Sequence, residues 1–272
     1  MDYTFEEQEF IKFLQYYPQH YKPAYKIAEN KFGETILPIG KGQNTFEMYA
    51  LDDICHSCTA FLEGGVPYTP KTTDAIWYKK FEGNFFIFLI EFKGDYLCRN
   101  SSKCSLVDLE DSLKIKNEDY NHIFESELKT VKWLLKKYSD KMLNGLASKP
   151  LETVTIAIPL IYEEYLKKNP DVEEIDIRKF LSNSRIIYRV VSFAENYTSN
   201  RERSRSQSYR CSNIIPSSCK KYSQIKHDKE AVSSYESSLK TYHTRYEKAG
   251  IVYSAGFVDN TAFNNFIENY LK

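Results

Sequence analysis

The clearest pattern in the chain is a pair of apolar-rich runs on either side of a short polar break. Residues 74–80 (Asp-Ala-Ile-Trp-Tyr-Lys-Lys) predict a strand, 81–84 a tight turn, and 85–93 (Phe-Phe-Ile-Phe-Leu-Ile-Glu-Phe-Lys) a second strand. The second run is apolar at every position from Phe85 to Ile90, as expected of a central strand covered on both faces. A symmetric hairpin about Glu82 and Gly83 pairs Phe81 with Asn84 and, continued outward, sets Asp74 opposite Glu91.

Other segments read less sharply. Residues 5–30, aromatic and charged with Pro18 and Pro23, predict two short helical pieces. Phe46, Tyr49, Ala50 and Ile54 form one stripe and predict a helix over 45–62, ended by Gly64-Gly65. A longer helix is expected over 123–143, with Leu128, Val131, Leu135, Tyr138 and Met142 on its apolar side and Lys129, Lys132 and Lys136 on a basic one. Thr153-Val-Thr-Ile-Ala-Ile158 alternates like a strand that stops at Pro159, 160–168 reads as helix, and 185–193 as strand. A helix near 230–248, a strand near 250–258 and a last helix capped by Asp259 or Asn260 complete the chain. The fold class is α/β, a small mixed sheet flanked by helices. Its expected organisation is an N-terminal helical segment 1–44, a core 45–160, and an extension 161–272 packed on that core.

Composition narrows the function classes. The 272 residues include 17 Phe and 22 Tyr, far more core material than a disordered chain carries. No apolar run approaches the roughly 20 residues a membrane helix needs, and the acidic N-terminus is unlike a secretory signal, so a cytoplasmic protein is expected. The 37 Lys+Arg balance 37 Asp+Glu, so any nucleic-acid contact must come from a local patch. Residues 201–229 supply one: Arg201, Arg203, Arg205, Arg210, Lys220, Lys221, Lys226 and Lys229 face only Glu202 and Asp228, among seven Ser. Flexible basic segments of this kind suit a phosphate backbone, and Tyr209 and Tyr222 could stack on bases.

The hairpin also carries the candidate chemistry. Glu91 and Lys93 project to one face together with Ile87 and Leu89, because residues two apart in a strand share a side. Two opposed carboxylates, Asp74 and Glu91, have Cβ atoms roughly 4.5–5.5 Å apart in such a pair. They repel unless a cation lies between them, and a hard divalent ion with oxygen ligands is the natural one. Lys93 beside that ion could steer water or offset charge on a phosphate.

Asp74 followed by Glu91-Phe92-Lys93 at the end of a buried strand resembles the D…ExK signature of the PD-(D/E)XK nuclease superfamily, with its restriction-endonuclease-like or RecB-like core. The flanking order is similar over residues 45–158: a helix, the hairpin, a following helix, then a strand. The resemblance implies a nuclease in which Asp74 and Glu91 hold Mg²⁺ or Mn²⁺, the Phe92 carbonyl adds a ligand, and Lys93 assists the water that hydrolyses DNA. A further Glu from the preceding helix is common in the superfamily; Glu47 is the best candidate here, with Glu63 and Asp53 as rivals. The Gln and Tyr that some members carry in the following helix are not evident, which leaves Lys129 and Lys132 as phosphate contacts. Thr73 stands where a Pro is often found. Cutting both strands of a duplex would favour a homodimer.

Other groupings compete. Cys55-His-Ser-Cys58 has metal-ligand spacing, and Cys98 and Cys104 could complete four sulfurs, while buried free thiols are the simpler account. Cys211, Cys219 and His227 fit no metal pattern. His243 and Tyr246 could form an acid/base pair on one helix, although a His on an amphipathic helix is commonly just packed. The alternatives to a nuclease are a non-catalytic nucleic-acid-binding or assembly protein on the same fold, and a metal or redox protein centred on Cys55 and Cys58.

Overall fold

Alternation along β4 (Asn84–Lys93) divides its side chains between two cores. Phe85, Ile87 and Leu89 enter one apolar cluster; Phe88, Ile90 and Phe92 enter the other. In this computed structural model, residues 2–29, 37, 46–59, 69–93, 109–110, 112–115, 125–192 and 239–267 are described. They form an α/β protein with a six-stranded mixed sheet in spatial order β1 to β6. The remaining strands are β1 (Tyr21–Pro23), β2 (Glu47–Ala50), β3 (Ala75–Phe81), β5 (Arg185–Ser192) and β6 (Ser254–Asp259). The pairs β1–β2, β2–β3 and β3–β4 are antiparallel, whereas β5 is parallel to β4 and β6 to β5. All three expected segments, 1–44, 45–160 and 161–272, thus contribute strands to one sheet.

Helices α1 (Phe5–Gln15), α3 (Leu51–Ser57), α5 (Ile158–Lys168) and α6 (Ile177–Asn183) supply the first cluster, which centres on Ile76, Leu89, Tyr188 and Val190 of the sheet. The opposite face is covered by α2 (Ala24–Ile27) and α8 (Asn260–Phe266), through Ala24 and Phe263. A long helix, α4 (Glu125–Glu152), and α7, residues 239–248, are also present. The chain divides into two compact units. One comprises 1–94, 146–193 and 239–272 and contains the whole sheet; the other comprises 95–145 and 194–238. The first turns of α4 belong to the second unit and its last turns to the first.

The hairpin matches its expected register, with Phe81 opposite Asn84 and Ala75 opposite Ile90. Glu82 and Gly83 both have positive φ, 47° and 76°, the pattern of the type I′ turn that suits twisted strands. Glycine at the second position takes that conformation without steric cost.

Three expectations change. The helix over 45–62 is a strand, β2, followed by the shorter α3. Met48 enters one cluster and Tyr49 the other, a period-two division that the helical stripe concealed. The N-terminal region forms α1 and α2 but also the short strand β1, which holds Tyr21 against Tyr49. Residues 153–158 are not a strand. Thr153–Ala157 form a π turn that joins α4 to α5, because Thr153, Ala157, Ile158 and Ile161 are all buried at helical spacing.

Two prolines sit within this long helical run, and each removes a backbone donor. Pro150 leaves the Leu146 carbonyl without its partner four residues on, and the buried Tyr188 hydroxyl donates to that carbonyl at 3.2 Å. Pro159 does the same to Thr155, whose carbonyl accepts the Arg178 guanidinium at 2.9 Å. The helix therefore continues through both prolines without burying an unpaired carbonyl.

Tyr188→Phe should lower stability by about 1–2 kcal/mol, since it removes one hydroxyl and orphans a buried carbonyl. Restoring the backbone donor with Pro150→Ala should shrink that cost to a few tenths of a kcal/mol. Urea unfolding of the two single variants and the double variant measures the coupling. Equal costs of Tyr188→Phe in both backgrounds would contradict the account.

Candidate active site

Asp74 is the residue just before β3, and its placement follows from how the connection 71–74 is held. The Lys71 amide donates to the Glu152 carboxylate at 2.8 Å, and the Thr73 amide to the Thr153 hydroxyl at 3.2 Å. Thr72 donates to Asp52 on α3 at 2.5 Å, and the Leu51 amide to the Asp74 carbonyl at 3.0 Å. Thr72 and Thr73 are buried. This connection is thereby tied both to the start of α3 and to the end of α4.

From that position the Asp74 side chain turns toward β4, where its Oδ2 accepts the Phe92 amide at 2.6 Å. Glu91 stands beside it on the face that carries Ile87 and Leu89, with no exposed side-chain surface. Lys93 ion-pairs with Glu91 Oε1. A second ammonium, Lys149 from the last turn of α4, lies 2.8 and 2.6 Å from the two Glu91 oxygens and 3.5 Å from Asp74 Oδ1. Two carboxylates and two ammonium groups thus meet at one point, with Asp74, Lys93 and Lys149 each about a fifth to a quarter exposed (23, 27 and 18 %).

The two carboxyls are driven apart electrostatically. Burial, and then the neighbouring charge of Glu91, push Asp74 up to about 6, against the opposing pull of Lys93 and Lys149 and the Phe92 amide. Burial would also raise Glu91, but the two ammonium charges and their hydrogen bonds outweigh it and hold that carboxyl below its ordinary value. Glu91 is therefore the charged anchor and Asp74 the group that a cation would most relieve.

A divalent cation fits this donor set. The carboxylate oxygens are hard ligands, and Asp74 and Glu91 already converge on one cation, the Lys149 ammonium. Two carboxylates with water completing the shell is a common way to hold Mg²⁺. Among the described residues, no group of three or more His, Cys, Asp or Glu could hold a metal ion, so no third carboxylate joins the pair. Glu47 lies on β2 opposite Pro23. Continuing the β2–β3 register sets it level with Tyr78, four residues along β3 from Asp74, roughly 13 Å at about 3.3 Å per residue. Asp53 is ion-paired with Lys22, and Glu63 lies outside the described residues.

Lys129 and Lys132 are exposed on the part of α4 that belongs to the second unit, Lys129 alongside Glu125 at 3.7 Å. Arg201, Arg203, Arg205, Arg210, Lys220 and Lys221 lie outside the described residues, as do Cys98, Cys104, Cys211, Cys219 and His227. Cys55 and Cys58 are buried at the end of α3. Burial pushes the Cys55 thiol up to about 12, and the Cys58 thiol donates to Glu164 at 2.7 Å, so both are placed as protonated thiols.

His243, on α7, is buried with its ring edge against Tyr188 at 5.5 Å and its Nε2 without a partner. Burial lowers it to about 4, with Glu247 of its own helix opposing and Arg189 of β5 adding to the effect. It is a neutral core histidine, and Tyr246 beside it is raised by burial.

Lys149 is the site residue that sequence reasoning missed. The apolar stripe of α4 fades after Met142, and a Lys-Pro pair at 149–150 argues for a helix end rather than continuation. Its one available signal is the basic residue a few positions before the Thr153 segment, which is too common a feature to single out.

With chelator present at pH 7.5, Glu91→Gln should destabilise by about 3 kcal/mol, because it leaves two ammonium groups with one carboxylate. Asp74→Asn removes the carboxylate–carboxylate repulsion and can still accept the Phe92 amide, so it should cost under about 1 kcal/mol or stabilise. Equal losses in urea unfolding would refute the division of roles. For His243, the folded form binds fewer protons than the unfolded one between its ordinary 6.5 and about 4. Its contribution is thus complete above pH 6.5 and lost as pH falls through that interval, by up to about 2–3 kcal/mol. Stability of the wild type relative to His243→Leu should fall accordingly, and a flat difference between pH 7 and 4 would contradict it.

Compared with known proteins, the chain matches no family model, no curated protein and no solved structure.

Proposed function

We propose that the protein is a metal-dependent nuclease hydrolysing DNA phosphodiester bonds, on a core of the restriction-endonuclease-like type. The observation that carries this reading is the convergence of the Asp74 and Glu91 carboxylates on one cation position with Lys93 at its edge. Position in the sheet adds support. Glu91 and Lys93 stand at the carboxyl end of β4, beside the carboxyl ends of β5 and β6, which run parallel to it. In open α/β sheets that end is where ligands bind. The element order follows the superfamily in outline only: the short α3 precedes the β3–β4 hairpin, 153–158 is not the expected strand, and the strand parallel to β4 is β5, which comes after α4, α5 and α6.

In this mechanism Asp74 and Glu91 would hold Mg²⁺ or Mn²⁺, and by the resemblance the Phe92 carbonyl would add a further ligand. The bound ion would supply charge to offset a phosphate and lower the pKa of water. Lys93 orients the attacking water and stabilises charge that develops on the phosphate oxygens. The pairing of Asp74 with the Phe92 amide fixes the carboxylate before substrate arrives, which is the preorganisation such a site needs. The basic segment 201–229 and Lys129 and Lys132 are the proposed contacts to the DNA backbone.

A second reading is favoured by one observation: two carboxylates against two ammonium groups form a charge-balanced cluster that requires no ion. In that case the fold serves a non-catalytic nucleic-acid-binding or assembly protein. The Cys-centred alternative finds no support in the buried, protonated state of Cys55 and Cys58.

Cleavage of plasmid and linear DNA with Mg²⁺ or Mn²⁺ separates these readings. Wild type should cut, chelator should abolish cutting, and Glu91→Ala and Lys93→Ala should each lower the rate at least about 100-fold. Cutting that survives both substitutions would overturn the nuclease reading, and Lys93→Ala indistinguishable from wild type would favour the charge-balanced alternative.

A further inference from the structure

The Lys149 ammonium occupies the point on which both carboxylates converge. It reaches both oxygens of Glu91 and one of Asp74, and its helix is fixed in place by the Tyr188 bond to Leu146 and by the Glu152 and Thr153 contacts to residues 71–73. We infer that Lys149 is a displaceable counter-cation: it holds Asp74 and Glu91 together in the metal-free protein, and a divalent ion binds them only by expelling its ammonium. This inference rests on the metal-site reading above and says how that site is regulated.

Electrostatics favours the exchange. A cation coordinated by both carboxylates would lie within a few ångströms of an ammonium that had stayed in place, and like charges at such separation repel strongly where water is scarce. Glu91 cannot give way, because it is fully buried on the central strand between β3 and β5. Lys149 can. Its side chain is 18 % exposed, and a flexible four-carbon stem lets the head group swing into solvent while the backbone stays fixed. The charge balance follows: with Lys149 inserted the cluster is neutral, and with Lys149 withdrawn Asp74, Glu91 and Lys93 carry one net negative charge for the incoming ion.

The device keeps two closely set carboxylates from repelling when no metal is bound, at the expense of metal affinity. Removing the Lys149 charge should therefore tighten divalent binding, the reverse of what is expected for a residue that helps to hold the ion. A substitution that retains the charge should not tighten it.

Mn²⁺ binding followed by electron paramagnetic resonance, at fixed ionic strength and without DNA, tests this directly. Lys149→Gln should bind Mn²⁺ at least about tenfold more tightly than wild type, Lys149→Arg no more tightly, and Glu91→Gln should bind none. In the wild type, Mg²⁺ should raise acylation of Lys149 several-fold, read by mass spectrometry, as the ammonium leaves the carboxylates. This second readout decides the matter if Lys149→Gln fails to fold. Mn²⁺ bound by wild type and lost in Glu91→Gln, but not tightened in Lys149→Gln, overturns the inference about Lys149 alone. Unchanged Lys149 acylation with the ion bound does the same. Absence of Mn²⁺ binding in wild type and Lys149→Gln alike overturns both this inference and the metal-site reading.

Discussion

A carboxylate with no exposed surface is the constraint on which the sheet and its helices are organised. Desolvating Glu91 without compensation would cost several kcal/mol, more than most single interactions can return. The charge is kept because two ammonium groups reach it, one from its own strand and one from α4. Each partner fixes something larger. Lys93 belongs to the last position of β4, so the strand must run to its end in register. Lys149 belongs to the last turn of α4, so that turn must lie over the carboxyl end of the sheet.

The helix that delivers Lys149 should by ordinary rules have ended before it could do so. Pro150 removes a donor and would leave a carbonyl unpaired in the interior. The Tyr188 hydroxyl takes that place, and Tyr188 itself lies on the strand next to Glu91's, opposite Leu89. A second substitution of the same kind, Arg178 for the missing donor at Pro159, carries the chain through the π turn into α5. Between them lies Thr153, whose hydroxyl accepts the Thr73 amide one residue before Asp74. The irregular part of the helical run is thus the part that meets the carboxylates, and its irregularities are each matched by a bond from the sheet, its connections or α6.

How much of this was legible in the sequence depended on whether a feature was local. The hairpin was legible to the register, because a two-residue turn and an uninterrupted apolar run leave few alternatives; the opposition of Asp74 and Glu91 followed from it. Strand β5 was legible from its Ile, Val and Tyr content. Strand β2 was hidden because Phe46, Tyr49, Ala50 and Ile54 satisfy a helical period while the chain divides Met48 and Tyr49 between two faces. The Thr-Val-Thr-Ile-Ala-Ile stretch has strand propensity and strand alternation, and burial of Thr153, Ala157 and Ile161 on one side overrides both. Lys149 was illegible for a different reason. Its position depends on Tyr188, 38 residues beyond the proline it makes tolerable, and no short window of sequence contains both.

On the proposed metal-site reading, a divalent ion and the Lys149 ammonium would compete for the same oxygens, and that competition would reconcile the catalytic and the structural readings of the cluster. A site built only for a divalent ion would leave Asp74 and Glu91 repelling one another whenever the ion was absent, with one of them driven toward protonation. Asp74 is raised by its burial first and by that repulsion second, and Lys93 and Lys149 oppose both without abolishing the shift. A site built only for stability would have little reason to leave Asp74 charged and partly exposed beside a complete Glu91–Lys93 pair, because an asparagine could accept the Phe92 amide equally well without the repulsion. The second carboxylate is therefore the feature that the proposed metal-site reading accounts for, with a cation brought from solution as its partner in place of the Lys149 ammonium.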